Sequence, residues 1–265
     1  LGGFARILDA WLVAAPAMDV RTRVQKALDA VNGVDINPFA VAIARFRLTL
    51  AALRACGESR LVEAPRFRLR IAIGDSLLVA RGESVRGQGT LDFGDGAGSA
   101  GDDGAGSDGP AGLDRGGQAE FDVGGPAGFL YAAEDVDDYP DILAAGRYHV
   151  VVGNPPYITV KDKALNEAYR SGYKTCKGKY ALSVPFMELF FDLAESANSA
   201  TGRRAGYVGL ITANSFMKRE MGKKLITEYI PKWDITHVVD TSGAYIPGHG
   251  TPTVVLFGRN QDPVA

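Results

Sequence analysis

Apolar positions near the start of the chain recur at helical spacing. Phe4, Ile7, Leu8, Trp11 and Leu12 fall on one face of a helix over 3–14, and a second helix is expected over 20–31. The run GVDIN (33–37) reads as a strand end, followed by a long helix, NPFAVAIARFRLTLAALRAC. Asn37 can cap that helix, Pro38 takes the favoured first position, and Val41, Ala44, Leu48 and Leu53 form its apolar stripe. RLRIAI (68–73) is the next strand, ending at Gly74-Asp75-Ser76. Four more apolar runs have strand length: YHVVVG (148–153), AGYVGLIT (205–212), ITHVVDT (235–241) and TPTVVLFG (251–258). Helices are expected near 134–145, over Val184–Asn198, and from an Asn214 or Ser215 cap to about Tyr229, while 161–180 reads as a polar loop.

This alternation predicts a Rossmann-like α/β fold, a mostly parallel sheet with helices on both faces. The last two strands are joined without a helix, so the final strand should be antiparallel. Residues 85–128 break the pattern. They hold 15 glycines, eight acids and two arginines, too little apolar surface to offset the entropy of ordering. They read as a disordered insert between two parts of one core, 1–84 and 129–265.

Composition narrows the picture. The chain has 265 residues, 46% of them hydrophobic, enough for a sizeable core. A net charge of −2 argues against a globally basic nucleic-acid binder but leaves room for a local basic patch. Two cysteines, Cys56 and Cys176, make neither a metal pair nor a disulfide framework, which suits a reducing cytoplasm. No run of 18 apolar residues suggests a membrane span, and no signal peptide is visible. The chain opens on Leu1 directly within a helical pattern, as the interior of a longer protein would.

In parallel sheets ligands bind outside the carboxyl ends of the strands. Three strands end there in polar residues, Asp35, Asp75 and Asn154, expected to line one crevice. An acid in the place of Asp35 can hold a ribose diol, and Asp75 can accept from the exocyclic amine of a nucleobase. Either acid alone serves equally well as a helix cap or a solvated strand end. The tip Asn154-Pro155-Pro156-Tyr157 says more. Two prolines leave carbonyl acceptors and few donors. The Asn154 side-chain oxygen and the Pro155 carbonyl could hold both hydrogens of an amine, leaving its lone pair aimed at an electrophile. Tyr157 could stack on a base, an interaction of roughly 1–3 kcal/mol. Directly after the tip, Lys161, Lys163, Lys174, Lys177 and Lys179, interleaved with tyrosines, could contact phosphates beside an extruded base.

Other signals point elsewhere. GAGSAG (96–101) and GAGSDG (104–109) lack the strand-turn-helix setting of a dinucleotide loop, and Gly172–Lys179 has the wrong spacing for a phosphate loop. GDSL (74–77) is also a hydrolase signature, with Asp234 and His237 as partners for Ser76. A triad needs those three within hydrogen-bond reach. GDSL follows a later strand than a hydrolase nucleophile should, and His237 falls near the start of its strand. His149 and His249 have no metal-ligand spacing, so no metal site is expected.

The order VDINPF, GDSL, GNPPY, FMELFF, GYVGLITANSF and TPTVVLF resembles the gamma-type amino-methyltransferases that act on adenine in DNA. VDINPFAVAIARFRL, NPPYITVKDK, GKYALSVPFMELFF and GHGTPTVVLF further resemble the methyltransferases of phage-growth-limitation and BREX defence systems. The likeness covers almost the whole chain outside the insert. It implies S-adenosylmethionine as cofactor, bound through Asp35, Ile36, Asp75 and Ser76 of the first part of the core and Asn154 of the second. It also implies double-stranded DNA with a flipped adenine, held by Asn154, Pro155, Pro156 and Tyr157 of the second part. Further defence-system proteins would be partners. A second aromatic is expected at Phe257 or Tyr245. The family's first strand and glycine-rich loop should precede GVDIN and are not in the chain, so this stretch alone is expected to be inactive. Methylation of a protein glutamine or an RNA base would suit the same acceptors.

Overall fold

The computed structural model describes residues 1–60, 65–82, 135–218, 222–243 and 251–263. Its helices are α1 (Gly2–Ala14), α2 (Val20–Asp29), α3 (Pro38–Cys56), α4 (Ser76–Val79), α5 (Lys163–Gly172), α6 (Ser183–Leu193) and α7 (Ser215–Lys218). Its strands are β1 (Asn32–Asp35), β2 (Arg70–Ile73), β3 (Val150–Gly153), β4 (Tyr207–Ala213), β5 (Asp234–Asp240) and β6 (Thr253–Arg259). The insert at 85–128, with both of its glycine motifs, lies outside the described residues, as do Tyr245 and His249.

The local signals of the first half operate as expected. The Asn37 side chain accepts from the backbone N–H groups of Phe39 and Ala40, and Pro38 opens α3. Gly57 closes that helix with φ 75°, a left-handed cap suited to glycine. β1 and β2 pair in parallel, with Asp35 opposite Ile73. Phe4, Val24, Leu28, Val41, Leu48 and Ile71 form the core between this pair and α1–α3.

β3, β4, β5 and β6 form a second sheet in the order β3-β4-β6-β5. β3 and β4 are parallel, whereas β6 runs antiparallel to both of its neighbours. The last strand is therefore antiparallel, as expected, but it sits inside the sheet between β4 and β5. One face of this sheet, with Val151, Val208, Leu210, Val254 and Leu256, is buried in a core shared with Met187, Leu189 and Phe191 of α6. On the opposite face Val152 is 73% exposed and Val150, Tyr207 and Phe257 are also open to solvent among the described residues. Among the described residues, the helix packed on this sheet, α6, lies on its buried face.

Several boundaries move for identifiable reasons. α6 stops at Leu193 rather than Asn198 because Ala194 leaves the helix to bridge Tyr148 beside β3. The Glu195 N–H then donates to the Tyr148 carbonyl. Where a long helix up to Tyr229 was expected, the described residues show the short α7, a π turn over Leu225–Tyr229 and a 3-10 turn over Ile230–Lys232 that contains Pro231. Near 134–145 only a 3-10 turn forms, Val136–Asp138, capped by Asp135. Conversely, α5 lies where a polar loop was expected. Asp162 caps it by accepting from the Leu165 N–H at 2.7 Å.

Candidate active site at the carboxyl ends of the strands

Asp35 ends β1 exposed to solvent, and its Oδ1 accepts the Asn37 N–H at 2.8 Å. The turn holds the carboxylate in place, and Ile36 beside it is 37% exposed. In the next strand the Gly74 N–H donates to the Asp35 carbonyl at 3.1 Å, so the two strand ends stay in register up to the residue before Asp75.

Asp75 is half-buried and heavily bonded. Its Oδ1 accepts the N–H groups of Leu77 and Leu78 at 2.9 and 3.2 Å, capping α4, whose first residue is Ser76. Its Oδ2 accepts the hydroxyl of Tyr169, from the middle of α5. Burial and the adjoining Asp75 carboxylate hold that hydroxyl well above the ordinary tyrosine range, so it remains a donor at neutral pH. A carboxylate has about four acceptor positions. Among the described residues the protein fills three at Asp75, leaving one on Oδ2. Asp35 thus presents an open carboxylate at its strand end, and Asp75 one that is largely engaged by the protein.

β3 delivers the third strand end. Asn154 is exposed on the tip while Pro155 behind it is buried, so the tip is anchored through its proline. The Tyr157 hydroxyl donates to Asn154 Oδ1 at 2.7 Å. One of the two acceptors proposed for an amine is thus satisfied by the neighbouring aromatic residue. Partial burial raises the Tyr157 hydroxyl above its ordinary value. Gly153 is required just before Asn154 because a Cβ there would meet the Phe190 ring of α6, with Cε2 at 2.8 Å.

The basic segment divides into two kinds of residue. Lys161, Lys163, Lys174, Lys177 and Lys179 are all exposed. The tyrosines between them are not available to bases: Tyr169, Tyr173 and Tyr180 are at most 2% exposed. Tyr173 donates to the Leu77 carbonyl at 2.8 Å and Tyr180 to the Asn166 carbonyl at 3.0 Å. Glu188, buried in α6, accepts the Thr175 N–H at 2.9 Å and faces Arg81 at 3.6 Å. Tyr169 and Tyr173 tie the segment to α4 and its cap, Thr175 ties it to Glu188 of α6, and its lysines face outward. Spacing could have revealed this, since Leu165, Ala168 and Tyr169 follow the Asp162 cap at helical intervals. The surrounding charges masked it.

Phe257 lies in register with Gly209, and through it with Val152, inside the sheet rather than beyond its carboxyl edge. It meets His237 edge-on at 6.3 Å. The hydrolase triad is not assembled. The Asp234 carboxylate accepts from Arg259 Nε at 2.8 Å and Gln261 at 2.9 Å, and Ser76 starts α4 in the other half of the fold. Among the described residues, no helix is long and apolar enough to cross a membrane.

The Eco57I restriction-modification methylase family matches residues 29–246. The chain is 51% identical to the adenine-specific methyltransferase PglX of Streptomyces coelicolor over 264 residues, 98% of this chain and 20% of that protein. It is 29% identical to the type II methyltransferase M.BstVI of Geobacillus stearothermophilus over 103 residues, 38% of this chain and 17% of that protein. The chain thus spans a fifth or less of the length of these relatives. A Listeria monocytogenes structure assigned to the class I S-adenosylmethionine-dependent methyltransferases aligns with 99% of this chain and 59% of that one, at 10% identity and a TM-score of 0.43.

Proposed function

Because the chain belongs to the Eco57I restriction-modification methylase family, we propose that it carries catalytic machinery of a site-specific DNA methyltransferase acting on the 6-amino group of adenine. The observation that carries this reading is the tip of β3: an exposed Asn154 before a buried Pro155, its amide oxygen accepting the Tyr157 hydroxyl. A nucleobase amine is a poor nucleophile because its lone pair is delocalised into the ring. Asn154 Oδ1 and the Pro155 carbonyl would accept its two hydrogens, localising the lone pair on nitrogen. Pro155 and Pro156 fix the turn, so that arrangement needs little reorganisation. Tyr157 would release Asn154 and stack on the swung-out base.

S-adenosylmethionine, when bound, supplies the electrophilic methyl group. Asp35 would take its ribose hydroxyls and Asp75 the amine of its adenine, with Ile36 and Ser76 flanking them. The exposed Lys161, Lys163, Lys174, Lys177 and Lys179 would meet the phosphates of double-stranded DNA. We place it in a restriction-modification or phage-defence system, in the cytoplasm and beside other proteins of such a system, a reading supported by the restriction-modification family that it matches.

The test uses the full-length protein with labelled S-adenosylmethionine and DNA, RNA and protein offered side by side. Label should enter DNA adenine. Asn154→Ala should lower that transfer by at least about 10²-fold, the scale of losing one transition-state hydrogen-bond partner. Cofactor affinity should stay within about twofold, since each aspartate is held by its own turn or cap. Unchanged turnover in the variant would overturn the mechanism, and label in RNA or protein alone would overturn the substrate.

A further inference from the structure

Tyr169 is a buried phenol of α5, and it differs from its neighbours. The hydroxyls of Tyr173 and Tyr180 donate to backbone carbonyls. That of Tyr169 donates to the side chain of Asp75, 94 residues away in sequence. Any polar residue could end a strand, and the cap on α4 engages only Oδ1 of Asp75. Without Tyr169, the Oδ2 side would offer two acceptor positions over a range of directions. With it, one remains and its direction is set.

We propose that Tyr169 is a positioning residue for cofactor recognition: by donating to Asp75 Oδ2 it restricts that carboxylate to one aimed acceptor, which selects an amino group over a carbonyl at position 6 of the cofactor's purine. The inference rests on the reading of Asp75 as the acceptor for the cofactor's adenine. The selection is chemical. An amine donates to the aimed oxygen, whereas the carbonyl of an inosine analogue would face it as a second acceptor. Discrimination of this kind is large when a fixed polar group is left facing the wrong partner. Tyr169 also ties this selection to α5, the helix that follows the Asn154–Tyr157 tip.

The experiment compares binding of S-adenosylhomocysteine and S-inosylhomocysteine to the full-length protein by titration calorimetry. Wild type should prefer the adenosyl compound by at least about tenfold, as expected for a hydrogen bond to a charged group. Tyr169→Phe keeps the ring and removes only the donor, and should narrow that ratio by about fivefold or more. Tyr173→Phe, which removes a hydroxyl from the same buried cluster, should lower the melting temperature and leave the ratio unchanged. Should Tyr169→Phe not fold, 3-fluorotyrosine placed at 169 alters the donor strength in an intact core, and the ratio should again shift. A wild-type preference that neither change at 169 alters overturns the role of Tyr169 alone. Equal binding of both compounds by wild type and by Asp75→Ala overturns the reading of Asp75 and this inference with it.

Discussion

At the ends of β2 and β3 a glycine precedes a short polar side chain, Gly74-Asp75 in one and Gly153-Asn154 in the other. Each glycine lets a bulky residue press against the strand end. A Cβ on Gly74 would lie 2.8 Å from Val136 Cβ, and one on Gly153 would lie 2.8 Å from Phe190 Cε2. Beyond that the two corners diverge. Asp75 is half-buried and takes three protein hydrogen bonds, two from a helix terminus and one from Tyr169. Asn154 is exposed and its amide oxygen takes one, from a residue three positions along. The first corner is integral to the fold, and a ligand there meets a finished surface. The second is held by its prolines, and its polar group can exchange partners without disturbing the core. This is the distinction expected between a group that holds a cofactor in place and one that must take and release a large substrate.

The comparison is sharpest in stability. Asp75→Ala removes the cap of α4, worth about 1 kcal/mol, and orphans the buried Tyr169 hydroxyl at a further 1–3 kcal/mol. Denaturant melts should show a loss of about 2–4 kcal/mol, against less than about 0.5 kcal/mol for Asn154→Ala. Equal losses would erase the distinction. The two glycines should behave alike: Gly74→Ala and Gly153→Ala each force a core side chain aside and should cost about 1–3 kcal/mol by the same measurement. Gly153→Ala should in addition displace Asn154 and depress methyl transfer more than its stability loss explains. Asp35→Ala, at an exposed turn, should change stability by less than about 1 kcal/mol while weakening cofactor binding in a titration. The smallest effects belong to the outer surface. Replacing one of Lys161, Lys163 or Lys179 by Ala should reduce the slope of log affinity for DNA against log salt by about 1 and leave cofactor binding unchanged. Tyr157→Phe should leave the melting curve within about 0.5 kcal/mol of wild type, because the bond it removes is exposed.

Much of this architecture is legible locally. The Asn37-Pro38 start of α3 and its Gly57 end follow from capping chemistry within a few residues. The strands announce themselves as apolar runs, and the expectation that the last two join without a helix leads to the antiparallel last strand, which pairs antiparallel with both of its neighbours. The residues of the candidate site are legible too, because ligands gather at carboxyl strand ends and Asn-Pro-Pro-Tyr is an unusual way to leave one. What charge concealed was α5. The lysines of the segment 161–180 around it advertise a loop, while Tyr169 in α5 and Tyr173 and Tyr180 after it turn inward and make the segment part of the core. The hydrolase alternative failed for a related reason. Asp234, Ile235, Thr236 and His237 have suitable spacing, but Asp234 is engaged by Arg259 and Gln261 from the adjoining strand and its end.

The sequence by itself determined the elements, their largely parallel character and the polar residues at their ends, because periodicity, caps and turns act over a few residues. Only the tertiary structure decided that β6 lies between β4 and β5, and that one face of their sheet keeps Val150, Val152 and Phe257 exposed among the described residues. It alone brought Tyr169 to Asp75, closing one corner and leaving Asn154 open at the other. Those outcomes depend on which surfaces exclude water together and which buried polar groups must find partners, and contacts between residues 94 positions apart leave no trace in local spacing.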